Sequence, residues 1–183
     1  MRVIAGEKRH LLLKTIPGLE VRPTTDIIKE TLFNIIQFDL QGINFLDLFA
    51  GSGAIGIEAL SRGAKEAYFI DNNPDAIKII NENLNNTGLI NKAKVFCINA
   101  ITVIEKLSKN NQKFDIIFMD PPYKKGLYLP VFEKLKEIDI LKPNAKIILE
   151  TNKEDDAEGV IKLGFTLYRE KKYKTNKHLF FKR

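Results

Sequence analysis

The chain has 183 residues, of which 44% are hydrophobic and 28% are charged, and its formal net charge is +6. This length and composition suit one globular domain with a sizeable buried core. No apolar run approaches the roughly 18 residues that span a bilayer, and no signal peptide is evident, so we expect a cytoplasmic protein without membrane contact. The single cysteine, Cys97, excludes a disulfide framework and a cysteine-rich zinc site, and no metal is expected. Cys97 ends an apolar stretch and is predicted to pack in the core.

The positive charge is concentrated at the two ends of the chain. Residues 1–22 carry an excess of three positive charges and residues 168–183 an excess of six, while the middle is slightly acidic. Lysine and arginine gain affinity for nucleic acid by displacing counterions from phosphates. The distribution favours nucleic-acid binding at both ends, although two solvated, lysine-rich termini would have the same composition. The candidate RNA contacts are Arg2, Lys8, Arg9, Arg22, Lys171 and Lys172.

The chain begins with a predicted basic β-hairpin. Residues 2–5 and 11–16 are apolar and β-prone, and they flank a polar turn. Residues 1–22 are therefore expected to form a small extension to a catalytic domain of residues 23–183. A helix is predicted from Pro23 onward, because an apolar stripe at helical spacing follows it. The stripe consists of Ile28, Leu32, Ile35 and Ile36.

From residue 44 onward the predicted strands and helices alternate. Most of the strands are apolar throughout, which is typical of a parallel sheet covered by helices on both faces. The last two segments predict a hairpin that adds an antiparallel edge. The predicted strands are residues 45–49, 66–70, 94–98, 114–119, 146–150, 165–173 and 177–181, and the predicted helices are 54–62, one starting at Pro74, 101–109 and 129–138.

A glycine-rich turn, Gly51 to Gly56, joins the first of these strands to a helix. Glycines allow a ligand to approach the backbone, and the first N–H groups of the helix then face that ligand. The pattern satisfies the dinucleotide fingerprint, so NAD and S-adenosylmethionine compete. Asp71, which ends the next strand, can accept hydrogen bonds from the ribose hydroxyls of either ligand. Asp47 favours S-adenosylmethionine, because a carboxylate repels a pyrophosphate but attracts the methionine ammonium.

The remaining candidate cofactor residues lie in the turns that follow the predicted strands. Asn99 follows the third strand, where its amide can reach the adenine edge. Together the candidates are Asp47, Phe49, Gly51, Ser52, Gly53, Asp71, Asn72, Asn99 and Ala100.

The tetrapeptide Asp120-Pro121-Pro122-Tyr123 directly follows a fourth apolar strand, at the edge where open α/β folds bind ligands. An exocyclic amine conjugated to a ring is a poor nucleophile, so its site must hold the N–H groups and aim the nitrogen. The two prolines stiffen the backbone so that the Asp120 carboxylate and a nearby carbonyl can act as acceptors. Asp120 can also take the departing proton, and Tyr123 can stack on a base.

These residues make the chain similar to the bacterial small-subunit ribosomal RNA guanine-N2 methyltransferase family, the RsmD type. The similarity also rests on Arg2-Val3-Ile4-Ala5-Gly6, on Arg22-Pro23-Thr24-Thr25-Asp26, and on Glu58-Ala59-Leu60-Ser61-Arg62-Gly63-Ala64. It implies a Rossmann-like class I methyltransferase fold, α/β, with a mostly parallel seven-stranded sheet, a C-terminal antiparallel hairpin and an N-terminal β-hairpin extension. It further implies S-adenosylmethionine as cofactor, Thr24 near that cofactor, and methylation of a guanine N2 in the small ribosomal subunit by what is expected to be a monomer.

The resemblance has one departure, and several other functions compete with it. The family usually has a Gly-Arg pair after its basic turn, where this chain has His10-Leu11. Both His10 and His178 are expected at the surface. Adenine-N6 methylation of DNA uses the same tetrapeptide but usually needs a target-recognition segment, and glutamine methylation usually has Asn in place of Asp120. A nicotinamide-dependent oxidoreductase would leave residues 120–123 unexplained, and a non-catalytic RNA-binding protein would leave the glycine turn unexplained.

Overall fold

The computed structural model describes residues 1–16, 23–122 and 127–183, with the backbone alone for residues 23–25. The strands are β1 (Asn44–Leu48), β2 (Glu66–Asp71), β3 (Ala93–Cys97), β4 (Phe114–Met119), β5 (Leu141–Asn152), β6 (Thr166–Lys172) and β7 (Asn176–Lys182), and the helices are α1 (Pro23–Ile35), α2 (Ala54–Ser61), α3 (Pro74–Thr87), α4 (Ala100–Lys109), α5 (Tyr128–Glu137) and α6 (Glu158–Lys162). The helix predicted from Pro23 and all the strands and helices predicted after residue 44 form, although β5 begins five residues earlier than expected. The short helix α6 and two 3-10 helices, Gln37–Asp39 and Ile90–Lys92, are additional.

The strands form one seven-stranded sheet in the order β3-β2-β1-β4-β5-β7-β6. Strands β1 to β5 are parallel, and β7 lies antiparallel between β5 and β6. The predicted mostly parallel sheet with a C-terminal antiparallel hairpin is therefore confirmed. In the dinucleotide-binding fold the sixth strand follows the fifth at the edge of a parallel sheet, so the inserted β7 is a departure from that fold.

Two apolar cores lie on opposite faces of the sheet, because side chains alternate along each strand. Helices α4, α5 and α6 cover one face and contribute Val103, Phe132 and Val160 to its core. Helices α1, α2 and α3 cover the other face, together with Val3 and Leu13 of the N-terminal segment. The same alternation means that polar residues at the strand ends fall on a defined face of the sheet.

The N-terminal segment folds back on itself, but it has a single β-bridge, Arg2 with Leu12, in place of the two strands expected. Its backbone is instead bound by side chains of α2. The buried Glu58 accepts hydrogen bonds from Ile4 N and Ala5 N at 2.8 and 3.0 Å. At Gly6 an added Cβ would lie 1.8 Å from the Ser61 carbonyl oxygen, so only glycine fits. Two stretches of sequence that carry the family resemblance thus bind each other.

Two predictions about burial are wrong. Cys97 is exposed. It ends β3, which is an edge strand of the sheet and is covered less completely than the central strands. His178 is fully buried rather than at the surface, because β7 is an inner strand with neighbours on both sides. Hydrophobicity along the sequence does not reveal which strand is an edge.

Candidate active site

The turn from β1 into α2 forms the base of the site. Its backbone takes left-handed conformations at Phe49, Gly51 and Gly53, with φ of 69°, 55° and 78°. At Gly51 no atom lies within 4 Å of where a Cβ would be, so this side of the turn is open to a ligand. Gly56 has a different role, because a Cβ there would lie 2.3 Å from the Phe69 ring. It allows α2 to pack closely on β2.

Asp47 lies beneath this turn and is 1% exposed. Its Oδ2 accepts a hydrogen bond from Gly56 N at 2.9 Å, which fixes the start of α2. Burial raises the pKa of Asp47 to about 7, the Gly56 hydrogen bond opposes the rise, and the charge of Asp71 adds to it. Near neutral pH this carboxyl therefore changes its charge readily when a cation approaches.

Asp71 connects the glycine turn to the end of β2. Its Oδ2 accepts from Gly51 N at 2.9 Å, and its Oδ1 accepts from Asn73 N at 2.9 Å. Both oxygens are thus held by backbone N–H groups. Since each carboxylate oxygen has a second lone pair, the oriented carboxylate can still accept hydrogen bonds from a pair of ribose hydroxyls.

Asn99 follows β3 and is the N-cap of α4. Its Oδ1 accepts from Ile101 N at 2.8 Å, in the same way that Asn73 caps α3 by accepting from Asp75 N. An asparagine N-cap satisfies a backbone N–H that has no partner within the helix. The Asn99 carbonyl therefore has a structural role that the sequence interpretation did not include, beside its expected role at the adenine edge.

A cavity of about 280 Å³ opens at the carboxyl ends of β1, β2 and β3. Five of the candidate cofactor residues line it: Phe49, Asp71, Asn72, Asn99 and Ala100. Sequence reasoning missed the apolar wall. Two residues of this wall, Ile70 and Ile98, directly precede a candidate and could have been found from that position. The wall residues at the start of α5 are distant in sequence from every candidate cofactor residue. The missed residues are Ile70, Ile98, Ile101, Leu127, Pro130 and Val131.

Asp120 directly follows β4 at the same edge of the sheet, with Pro121 buried and Pro122 exposed. Although Asp120 is solvent-exposed, desolvation by the surrounding protein raises its pKa well above the usual value, and the charges of Glu150 and Asp47 add to the rise. A carboxyl with a raised pKa is a stronger base once ionised. Tyr123 lies outside the described residues.

Four of the candidate RNA contacts lie at two edges of the sheet. Lys171 and Lys172 are exposed at the carboxyl end of β6, the edge where Asp120 lies. By contrast, Lys8 and the exposed Arg9 belong to the turn that Ser61 binds, and Ser61 is the last residue of α2. Since α2 is about 12 Å long and starts at the glycine turn, this pair lies near the opposite edge.

Of the three remaining candidate residues, the structure describes the side chain of one, Arg2. Arg2 pairs with Asp26 at 3.6 Å, beside the start of α1. Arg22 and the side chain of Thr24 lie outside the described part of the chain. Within that part, no helix is long and apolar enough to cross a membrane.

The family model with the description Conserved hypothetical protein 95 matches residues 1–182. The chain belongs to this family. Ribosomal RNA small subunit methyltransferase D of Haemophilus influenzae is 36% identical over 93% of this chain and 88% of its own length. The Bacillus subtilis protein YlbH, provisionally named an rRNA methyltransferase, is 39% identical over 84% of each chain. A solved Escherichia coli structure, provisionally described as the methyltransferase yhhF, has a TM-score of 0.82 and 33% identity, covering 100% of this chain and 97% of that one.

These relatives confirm the family that the sequence resembles and the Rossmann-like methyltransferase fold. The chain is a methyltransferase, and its cofactor is S-adenosylmethionine. The site agrees with this cofactor: the cavity provides the oriented Asp71 carboxylate as a ribose acceptor and an apolar wall for a flat ring, and the nearby open side of Gly51 provides a backbone cradle.

Proposed function

We propose that this protein transfers a methyl group from S-adenosylmethionine to the exocyclic N2 amine of a guanine in small-subunit ribosomal RNA, within an assembled or assembling particle. The observation that carries the proposal is the position of Asp120, at the end of β4 on the sheet edge that also holds the cofactor cavity. The names of the relatives, ribosomal RNA small subunit methyltransferase D, support ribosomal RNA as the substrate.

On the cofactor side, the proposal assigns binding to residues of the turns after β1, β2 and β3. Asp71 would accept from the ribose hydroxyls, and Asn99 and Ala100 would lie at the adenine end. Gly51, Ser52 and Gly53 would cradle the methionine part, with Asp47 beneath them to balance its ammonium. The bound cofactor supplies an activated methyl group on a sulfonium.

On the acceptor side, Asp120 would accept a hydrogen bond from the substrate amine and aim its nitrogen at the methyl group. Positioning of this kind contributes roughly 7 to 11 kcal/mol in favourable cases. The raised pKa of Asp120 suits a group that also takes the proton the amine loses. Pro121 and Pro122 would hold the backbone rigid, and Tyr123 remains the candidate for stacking on the base.

For RNA binding, the basic residues at the carboxyl edge are the more direct candidates. Lys171 and Lys172 lie three strand spacings from β4, about 14 Å, so they would lie beside an RNA strand that enters the acceptor site. Lys8 and Arg9, near the opposite edge, would contact a more distant part of a folded RNA, as would Arg2 and Arg22 in the first 22 residues. This arrangement suits a large structured substrate.

The test is methyl transfer from labelled S-adenosylmethionine onto unmodified small ribosomal subunits and onto naked small-subunit RNA, followed by mapping of the labelled nucleotide. We expect one guanine, labelled at N2, with subunits as the better substrate. Label on an adenine, on DNA or on a protein glutamine would overturn the assignment. A calorimetric titration with S-adenosylhomocysteine and NAD is the matched binding control, with preference for the former expected.

A further inference from the structure

Glu150 of β5, His178 of β7 and Asp120, the residue that follows β4, form a row at the carboxyl edge of the sheet. In the register of β4 with β5, Met119 pairs with Leu149, so Asp120 and Glu150 follow as the next neighbours. In the register of β5 with β7, Glu150 pairs with His178. Because side chains alternate along a strand, the row lies on the face that α1, α2 and α3 cover. The row therefore starts at the acceptor carboxyl and continues into the protein.

Glu150 is held through both of its carboxylate oxygens. His178 Nε2 lies 2.9 Å from Oε2, and Asn176 Nδ2 donates to Oε1. His178 is itself fixed, since it is fully buried and its Nδ1 lies 3.0 Å from the Tyr173 hydroxyl. A carboxylate only accepts hydrogen bonds, so Nε2 carries a hydrogen in this arrangement. The contacts leave Glu150 little freedom to rotate.

A network of this kind is costly for folding alone. Buried polar groups must all be partnered, and apolar residues of similar volume would often give equal or greater stability. His178 packs against the Phe118 ring at a centroid distance of 6.1 Å, within an otherwise apolar layer of the sheet. A function at the adjacent acceptor carboxyl gives a reason for keeping this polar group.

We propose that Glu150, held by His178 and Asn176, is a positioning residue: its fixed charge at the carboxyl edge keeps Asp120 ready to accept the proton from the substrate amine. This inference rests on the proposed function. In the reaction, the amine nitrogen forms a bond to the methyl carbon, and the bond from that carbon to sulfur breaks with its electron pair moving to sulfur. The nitrogen then loses one proton, which moves to the Asp120 carboxylate.

The charges around Asp120 support this role. Desolvation, the Glu150 carboxylate from β5 and the Asp47 carboxylate from β1 raise its pKa. On the far side of Glu150 lie His178 and the Tyr173 hydroxyl, and Lys171 pairs with His178 in the β6 register. Removal of the Glu150 charge alone should therefore lower the pKa of Asp120.

The decisive measurement is a carbon NMR titration of the Asp120 side-chain carboxyl in the full chain, without substrate, with the signal assigned by its loss in Asp120→Asn. In Glu150→Gln we expect the titration midpoint to move down by about one pH unit or more. Glu154→Gln, the same change at an exposed position in the next loop, should leave the midpoint in place. An unchanged midpoint in a folded Glu150→Gln protein would overturn the proposal.

The kinetic counterpart uses the same variants. In Glu150→Gln the acidic limb of the pH profile should move to lower pH, and kcat should fall about tenfold because a weaker base accepts the proton. Affinity for S-adenosylhomocysteine should stay at the wild-type value. If wild-type protein methylates no ribosomal RNA, the proposed function fails, while the NMR titration still reports on Glu150.

Two substitutions of His178 test the geometry if Glu150→Gln does not fold. In His178→Gln the amide can reach Glu150 from the position of Nε2, whereas in His178→Asn the shorter amide cannot. We expect His178→Gln to have a higher kcat than His178→Asn, while KM and the melting temperature are similar in the two variants. Equal kcat in the two variants would count against a positioning role for the row.

Discussion

The two halves of the carboxyl edge are built in different ways. The cofactor half, after β1, β2 and β3, consists of turns whose polar side chains bind the backbone nearby in sequence, as Asp71 binds Asn73 N and Asn99 binds Ile101 N. The acceptor half, at the carboxyl ends of β4 and β5 and the start of the antiparallel β7, contains side chains that bind one another across strands, as Glu150 binds His178. Backbone atoms thus define the first half, and long-range side-chain pairs define the second.

The difference predicts which property a substitution in each half changes. A surface made of oriented N–H groups recognises a constant ligand, and its side chains serve mainly to fix the turns. Clustered carboxylates in the other half affect each other's pKa, so a change at one alters the chemistry of the next. Substitutions in the cofactor half should therefore act on binding, and those in the acceptor half on the rate of transfer.

The largest effect is expected in the acceptor half. In Asp120→Ala the substrate amine loses its acceptor, so the rate of methyl transfer should fall at least about 100-fold, or about 2.7 kcal/mol. Affinity for S-adenosylhomocysteine should be retained, as measured by calorimetry. Asp139→Ala, which removes an exposed carboxylate paired with Lys113, is the matched control. An equal loss of cofactor affinity in Asp120→Ala would remove the distinction between the halves.

The converse is expected for Asp71→Asn in the cofactor half. Loss of the charge weakens the hydrogen bonds to the ribose and to Gly51 N, so affinity for S-adenosylhomocysteine should fall about tenfold, or about 1.4 kcal/mol. The rate at saturating cofactor should change much less. Asp75→Asn makes the same change at an exposed position on α3 and should bind normally. A large fall in kcat with unchanged affinity would contradict this assignment.

The contrast between the halves also explains what the sequence could predict. Strand Asn44–Leu48, its glycine turn and Asp71 lie within one local pattern, and alternation of apolar strands with helices indicated the parallel sheet. Asp120 was found because proline-rich turns after a buried strand are distinctive. These features are local, so spacing alone reveals them.

The missed residues depend on contacts between distant segments. Glu150 and His178 are neighbours only because the last strand enters the sheet between β5 and β6, and no local pattern predicts that order. Similarly, Glu58 belongs to a stretch that carries the family resemblance, but only the fold shows that it binds Ile4 N and Ala5 N. Cavity residues from α5 were missed for the same reason.

An effect on stability rather than on activity is expected for Asp47→Asn. With a folded-state pKa of about 7, raised from the usual value, the folded protein holds this proton more tightly than the unfolded chain does. The contribution to stability is therefore full below about pH 4 and is lost as the pH rises to about 7. The melting temperature of Asp47→Asn relative to wild type should increase over that range. S-adenosylhomocysteine, which carries an ammonium, should stabilise wild type more than the variant at pH 8.

An opposite result at Asp47 would be informative. If the difference in melting temperature between Asp47→Asn and wild type is the same at pH 4 and pH 8, then burial does not raise the pKa of Asp47 in the free protein. If the ligand stabilises both proteins equally, Asp47 serves only to hold Gly56 N. Its assignment to the cofactor would then be withdrawn.

The smallest effect is expected at the outer end of the acceptor half. Replacing both Lys171 and Lys172 by alanine removes two exposed charges from the end of β6, without a buried contact to lose. If both contact single-stranded phosphates, the slope of log affinity against log salt should fall by about 1.4. Lys106→Ala with Lys109→Ala removes the same charge from the last turn of α4 and should leave the slope unchanged. Equal slopes in all three proteins would mean that RNA approaches Asp120 from another side, and the acceptor half would end at β7.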